Sequence, residues 1–396
     1  MSTITIISNY YPPEIGAASS RIYNMAKSFK NNGYDVNILC PMPNYPKGKV
    51  LDGYRSKLFK KDLIEGISIY RFFIYPSNSK NKIKRMLSMI SFAVSIWFII
   101  FNRKLIKSSN LVIIQNSPLL VSFSSVILFK TLLHRKVILN VSDLWPKSAV
   151  DIGLIKQGLM LNLLQNIEFF NYSKCDKILC QSKEIEDFIL RKINKDTFIY
   201  RNIQPNLLER KVIKEESNNV RLVYAGLLGV AQGVCNLIQQ INFEGKKITL
   251  DIYGDGNEKS LIIEYLKNNH INSIKYKGSL SKQELTLKMT NYDFALVPLV
   301  KYIEGAFPSK IYELIQLEIP IIYIGEGEAF DFVTSNNLGY AIKPGNTKQI
   351  QKTLYNLGEI PQTKIDEFSD SCKLLNQESL DFNIQFKQLL TFIQAK

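Results

Sequence analysis

Histidine is nearly missing from this chain: its 396 residues include two, His134 and His270. A metal hydrolase built on several imidazole ligands, or a serine hydrolase built on a histidine-centred triad, has too little material here. Cysteine is scarce as well. The five thiols, at 40, 175, 180, 235 and 372, are odd in number, scattered and mostly inside apolar runs, which suits reduced core side chains. Cys175 and Cys180 lack a second cysteine pair and nearby histidines, so they do not read as a zinc site. No Asp-x-Asp ends a strand in the way that holds a divalent ion, and no metal is expected. The N-terminus has no basic leader. Residues 3–8 are apolar and β-branched, and Pro12 and Pro13 follow at once, so the segment reads as a buried first strand rather than a signal peptide, and a cytosolic chain is expected.

Acid is absent from one long stretch. Between Glu65 and Asp143 there is no Asp or Glu, while Arg71, Lys80, Lys82, Lys84, Arg85, Arg103, Lys104, Lys107, Lys130, Arg135 and Lys136 supply most of the formal charge of +15. Such a surplus favours an anionic partner, phosphate or acidic lipid. Inside the stretch runs an uncharged segment, residues 86–101, MLSMISFAVSIWFIIF, bracketed by Lys82, Lys84 and Arg85 and by Arg103, Lys104 and Lys107. As a helix it would span about 24 Å at 1.5 Å per residue, short of the roughly 30 Å hydrocarbon core. It therefore suits lying in a membrane interface, with Lys84, Arg85, Arg103 and Lys104 at the headgroups and Trp97 and Phe98 inserted. The alternative is a buried core helix with solvated ends.

What is present is ordinary globular material, with 46% hydrophobic and 21% charged residues, in a length that suits two domains. Apolar strand patterns at 4–8, 36–40, 67–73, 111–115, 136–141 and 177–181 alternate with helix-length segments, which predicts a doubly wound α/β domain over 1–201. The rhythm breaks at 202–218, where a linker is expected. It restarts at 220–225 and continues at 247–253, 273–276, 294–298, 319–324 and 339–341, which predicts a second α/β domain over 202–379 and a cleft between the two. Residues from about 366 to 396 read as helix that is expected to pack back on one of the two domains, with about 380–396 assigned to the first.

The candidate chemistry lies at strand ends. The loop 9–21, NYYPPEIGAASSR, joins a strand to a helix, where backbone N–H groups favour an anion, and Gly16 permits close approach. With one glycine it is not a dinucleotide fingerprint, so a nicotinamide cofactor has little support. Arg21, one turn into the helix, faces a phosphate or solvent. In the second half, Gly226, Gly229 and Gly233 shape another strand-to-helix turn, and Gly254-Asp255-Gly256 ends a strand. Pro308-Ser309-Lys310-Ile-Tyr-Glu313 opens a helix that offers a cation to a diphosphate and a carboxylate to sugar hydroxyls.

These segments, SNYYPPEIGAASSR, GYDVNILCPMPNYPKG, NVSDLWP, YAGLLG, IYGDGNE and FPSKIYELIQLEIPII, come in order and together resemble the glycosyltransferases of family 4, which have the GT-B fold, and especially the branch that builds bacterial O-antigen and capsule repeats, such as the fucosamine transferases. The resemblance spans nearly the whole chain. It implies an α/β protein of two Rossmann-like domains facing across a cleft. The implied reaction moves a sugar, with retention of configuration and no metal or cofactor, from a nucleotide-diphosphate donor to a polyprenyl-diphosphate-linked acceptor at the inner face of the cell membrane. It further implies that Gly16 faces the donor, that Gly226, Gly229, Ser309 and Lys310 hold its phosphates with Gly254 nearby, and that Glu313 binds the ribose. Asp143 would lie near the reacting sugar or acceptor; its other reading is a helix N-cap.

The chain departs from the family pattern twice. The family pairs two glutamates with seven residues between them, and counting back from Glu313 gives Gly305, with Glu304 one place off. Either Glu304 substitutes through a local shift or backbone N–H groups hold the sugar. The Lys or Arg usual after the glycine turn is Val230 here, which leaves Lys310 as the main cation, with Arg201 and Arg21 as helpers. Two rival readings are a nucleotide-sugar 2-epimerase of the same fold and a non-enzymatic membrane or nucleic-acid binder. The confinement of the basic surplus to one apolar segment argues against nucleic acid.

Overall fold

In a computed structural model, residues 3–45, 47–77, 82–205 and 218–395 are described, with Lys82 and Arg85 represented by their backbone. Lys80, the side chain of Arg85 and most of the expected linker, 206–217, lie outside the described residues. The chain divides into two compact units, Met1–Asn202 with Leu389–Lys396, and Ile203–Gln388.

The first unit carries strands β1 (Thr3–Ile7), β2 (Asp35–Pro41), β3 (Phe59–Ile64), β4 (Ile67–Phe72), β5 (Ser109–Gln115), β6 (Lys136–Val141), β7 (Lys177–Cys180) and β8 (Thr197–Ile199). Its helices are α1 (Ala17–Asn31), α2 (Lys82–Ser95), α3 (Arg103–Ser108), α4 (Leu119–Val126), α5 (Lys147–Asp151), α6 (Leu159–Lys174) and α7 (Lys183–Leu190). A 3-10 stretch, Ile96–Phe101, joins α2 to α3, and a π-helical stretch, Ile127–Leu132, prolongs α4. The strands form one sheet in the order β3-β4-β2-β1-β5-β6-β7-β8. All pairings are parallel except β3 with β4, an antiparallel edge hairpin that the strand rhythm did not predict. The central strands read as unbroken apolar runs because helices cover both faces; every residue of β1 is buried.

The second unit follows the same plan with β9 (Val220–Ala225), β10 (Ile248–Tyr253), β11 (Ile274–Gly278), β12 (Phe294–Pro298), β13 (Ile321–Ile324) and β14 (Gly339–Ile342), all parallel, in the order β11-β10-β9-β12-β13-β14. Its helices are α8 (Val234–Gln240), α9 (Lys259–Asn268), α10 (Lys282–Met289), α11 (Lys310–Gln316), α12 (Glu328–Ser335), α13 (Thr347–Asn356), α14 (Gln362–Glu378) and α15 (Phe382–Gln394). The end of α15 belongs to the first unit. There Lys177 Nζ donates to the carbonyls of Phe392 at 2.8 Å and Ala395 at 2.9 Å, and Lys136 Nζ to that of Ile393 at 2.9 Å, so two cations satisfy the helix's last acceptors.

Candidate functional site

In the second unit the strand order reverses between β9 and β12, and in an open parallel sheet that reversal leaves a crevice beyond the strands' C-terminal ends. Two of the expected donor loops flank it. Loop 226–233 leaves β9, and loop 299–309 leaves β12; the Val300 N–H donates to the Ala231 carbonyl at 2.9 Å and ties them together. Gly233, at φ +62°, starts α8, and a Cβ there would lie 2.6 Å from Val300 Cγ2. Gly254 and Gly256 serve this packing. A Cβ on Gly254 would lie 1.9 Å from the Gly226 carbonyl oxygen, and one on Gly256 would lie 2.3 Å from that of Leu228. The Leu228 N–H donates to the Asp255 carbonyl at 3.0 Å. Gly254, expected beside the nucleotide, thus acts on the site through the shape it permits loop 226–233 to take. At Gly229 a Cβ would press on Gln232 Oε1 at 2.8 Å.

Ser309 caps α11 without a side-chain hydrogen bond, and Phe307 stacks on Tyr312 at 4.7 Å, which anchors the helix start. Lys310 Nζ is 2.8 Å from Glu313 Oε2 one turn on; both side chains are partly buried. The cation assigned to phosphate and the carboxylate assigned to ribose therefore stand side by side. Glu304 occupies the turn before α11, half-buried, and Gly305 beside it has φ +82°. A glycine at that place satisfies a left-handed backbone that glutamate would strain, which is a physical reason for the displaced carboxylate.

In the first unit the order reverses between β1 and β5, where loop 8–16 leaves β1. Gly16, at φ +154°, precedes α1, with Tyr45 Cε1 3.6 Å from the place of a Cβ. Buried Glu14 pins this loop: its carboxylate accepts the N–H groups of Asn44 and Tyr45 at 2.8 Å each and of Tyr11 at 3.3 Å. Burial pushes its pKa up, against those three bonds. Arg71 holds the loop from behind, donating to the Pro12 carbonyl and, from Nε, to Asp62 Oδ2 at 2.8 Å. It is fully buried, so one of the surplus cations is a core residue and not part of a basic surface.

Arg21 does not face solvent. It is 5% exposed and donates to Gln181 Oε1 and, at 3.0 Å, to Gln115 Oε1, while its Nε has no partner. Burial pulls its pKa from 12.5 down to about 10. It is therefore a brace under the strand ends, held by two glutamines. Gln115 passes the restraint on by donating to Ser142 Oγ at 2.8 Å, beside Asp143. Asp143 sits in the bend after β6, and its carboxyl is raised by burial, with bonds to Ser148 and the Leu144 backbone pulling the other way. Arg201 follows β8, half-buried.

The apolar segment has two faces. Phe92, Ala93, Ile96 and Ile99 enter the first unit's core. Ile83, Leu87, Ile90, Val94, Phe98 and Phe101 form a second stripe at helical spacing that points outward, with Val94 60%, Phe98 64% and Phe101 82% exposed. Lys84, Arg103 and Lys104 are exposed beside it. The segment is thus neither wholly buried nor wholly exposed: one face is core and the other is bare. Trp97 lies between the two faces: it is half-buried, and its Nε1 donates to Ser124 Oγ of α4 at 2.7 Å. Among the described residues no helix is long and apolar enough to cross a membrane.

Residues 207–372 match the family of group 1 glycosyl transferases. The chain is 22% identical over 265 residues to a probable glycosyltransferase, WbjE, of Pseudomonas aeruginosa, an alignment that covers 61% of this chain and 66% of that one. It is 20% identical over 284 residues to the putative colanic acid biosynthesis glycosyl transferase WcaI of Escherichia coli K12, covering 67% and 69%. The chain thus spans about two-thirds of the length of these relatives. Among solved structures it superposes on a sucrose-phosphate synthase from Thermosynechococcus elongatus with a TM-score of 0.73 at 10% identity, covering 100% of this chain and 98% of that one. HepE from Anabaena, solved in complex with UDP, gives 0.68 at 12% with full coverage of both. The fold is GT-B, as the resemblance implied.

The group 1 match covers the two loops just described, including Gly226, Gly229, Ser309, Lys310 and Glu313. Sequence reasoning passed over Glu14 and the polar cluster Gln115, Asn140 and Gln181. The available signal was polar residues closing strands that are otherwise apolar.

Proposed function

We propose that the protein is a retaining, metal-independent glycosyltransferase that moves a hexosyl or N-acetylhexosaminyl group from a nucleotide-diphosphate sugar to a polyprenyl-diphosphate-linked saccharide in bacterial surface polysaccharide synthesis, O-antigen or capsule. The observation that carries it is the pair of loops at the β9/β12 reversal: a glycine turn and the Ser309-Lys310-Glu313 helix start meet where an α/β sheet binds ligands, in the segment that matches the group 1 glycosyl transferases. The donor class draws support from HepE, which was solved with UDP, and the pathway from the names of the two relatives. In this reading Lys310 and nearby backbone N–H groups stabilise charge on the departing diphosphate, and Glu313 holds the ribose. Asp143 serves the reacting sugar or acceptor, and Glu304 stands in for the family's first glutamate. The bare apolar stripe with Arg103 and Lys104 docks the enzyme as a peripheral protein on the anionic inner face of the cell membrane.

The test is nucleotide release from a panel of UDP-, GDP- and dTDP-sugars, with and without lipid-diphosphate-sugar acceptors, by the parent protein and by Lys310→Ala and Glu313→Ala. Acceptor-dependent release of one nucleotide, lost in both variants, supports the reading. No turnover and no thermal shift with any donor overturns it.

A further inference from the structure

Between α2 and α4 the surface opens into an apolar groove of about 370 Å³. Ile90, Val94 and Trp97 form one wall, and Leu120, Phe123 and Ser124 the other. The walls are held in place: Trp97 Nε1 donates to Ser124 Oγ, Ser124 Oγ donates to the Ala93 carbonyl, and Phe123 packs edge-on against Phe170 of α6 at 5.2 Å. Water in the groove would find one polar side chain in the lining, Ser124, whose hydroxyl is already bonded to Trp97 and the Ala93 carbonyl. The space suits a short stretch of one hydrocarbon chain.

We propose that this groove binds the isoprenoid chain of a polyprenyl-phosphate acceptor. The inference rests on the transferase reading and deepens it by assigning a site to the acceptor's tail. Three observations point to this occupant. Ile90 and Val94 belong both to the groove and to the outward stripe, so a chain leaving the groove continues along a bare apolar surface toward the bilayer. Exposed Arg103, Lys104 and Lys107 follow within ten residues of Trp97, in a stretch with no acidic residue, which complements a chain that ends in a phosphate or diphosphate. The third is a lining already fixed by the Trp97–Ser124 and Ser124–Ala93 hydrogen bonds, which favours a stiff chain such as one with a double bond in every five-carbon unit. Such a chain has fewer rotatable bonds per carbon than a saturated acyl chain and loses less entropy on being ordered.

The chain has two tryptophans, so the difference between the parent protein and Trp97→Phe isolates the groove's emission. The full-length protein is titrated with farnesyl diphosphate, inorganic diphosphate and a short-chain phosphatidic acid. Val94→Phe fills the groove from an exposed position, keeps the surface apolar and adds no indole. The expected result is a saturable change in Trp97 emission with farnesyl diphosphate, at least tenfold tighter than with either other probe, and weakened at least tenfold in Val94→Phe while anionic-vesicle binding persists. Equal binding of farnesyl and inorganic diphosphate overturns the proposal, as does undiminished binding by Val94→Phe. Equal or tighter binding of phosphatidic acid assigns the groove to a bilayer lipid and also overturns it. Nucleotide release is read separately. Release without farnesyl binding removes the groove site and leaves the transferase standing; farnesyl binding without release from any donor removes the transferase reading.

Discussion

The Lys310 ammonium lies 2.8 Å from the Glu313 carboxylate, so the two side chains that the donor would need are each other's partners. A nucleoside diphosphate must compete with Glu313 for Lys310. The variants are therefore expected to differ. Lys310→Met weakens binding of a nucleoside diphosphate by about ten- to a hundredfold, the worth of one charged hydrogen bond, and leaves the bare nucleoside almost unaffected. Glu313→Gln weakens the nucleoside as well, and releases Lys310 to the phosphates. Titration calorimetry of both ligands against both variants checks the asymmetry; an equal loss of nucleoside binding in Lys310→Met would refute it.

Gly254→Ala is expected to damage the donor loop without touching any ligand. The new Cβ meets the Gly226 carbonyl oxygen at 1.9 Å and sits at φ +149°, so backbone must move. Strain and overpacking together cost about 3 kcal/mol. Denaturant unfolding should show that loss, whereas a variant as stable as the parent would mean that the loop yields freely.

Asp143 links pH to stability. Burial raises its carboxyl above the ordinary 3.8, so the folded chain holds that proton more tightly than the unfolded chain, and the group subtracts stability as pH climbs from 3.8 through its raised native value. Asp143→Asn removes that loss. Its melting temperature should exceed the parent's at pH 7, with the gap closing below pH 3.8, while transfer activity falls. A variant less stable than the parent at pH 7 would show that the charged form is favoured in the fold.

The outward stripe on α2 and the 3-10 stretch separates stability from surface binding. Phe98 and Phe101 stack on each other at 6.3 Å in the open. Phe98→Glu with Phe101→Glu should change unfolding free energy by no more than about 0.5 kcal/mol per site, since no core contact is lost. Co-sedimentation with anionic vesicles should fall sharply, and vesicle binding equal to the parent's would remove the stripe from the docking surface.

Most strands were legible because a strand covered on both faces is apolar nearly throughout, as β1, β5, β7, β12 and β13 are. The edge strand β3 was not legible: its residues alternate between exposed and half-buried, with Lys60, Lys61 and Asp62 in its middle, and pairing with β4 alone defines it. The donor residues were legible as motifs because glycines and a cation at a strand-to-helix turn state their chemistry locally.

Composition and order alone determined two α/β units, the glycine turns, the cation at 310 and the apolar segment between basic brackets. Tertiary structure alone decided what each charge and each apolar face meets. Arg21 and Arg71 are indistinguishable from surface cations in a string of letters, yet both are buried, because their partners Gln115, Gln181 and the Pro12 carbonyl arrive from distant parts of the chain and Asp62 from the neighbouring hairpin strand. Residues 86–101 are uncharged and mostly apolar on every face, and only packing shows which face the core takes and which it leaves bare. Local chemistry is written in neighbouring letters, whereas burial is a property of the whole fold.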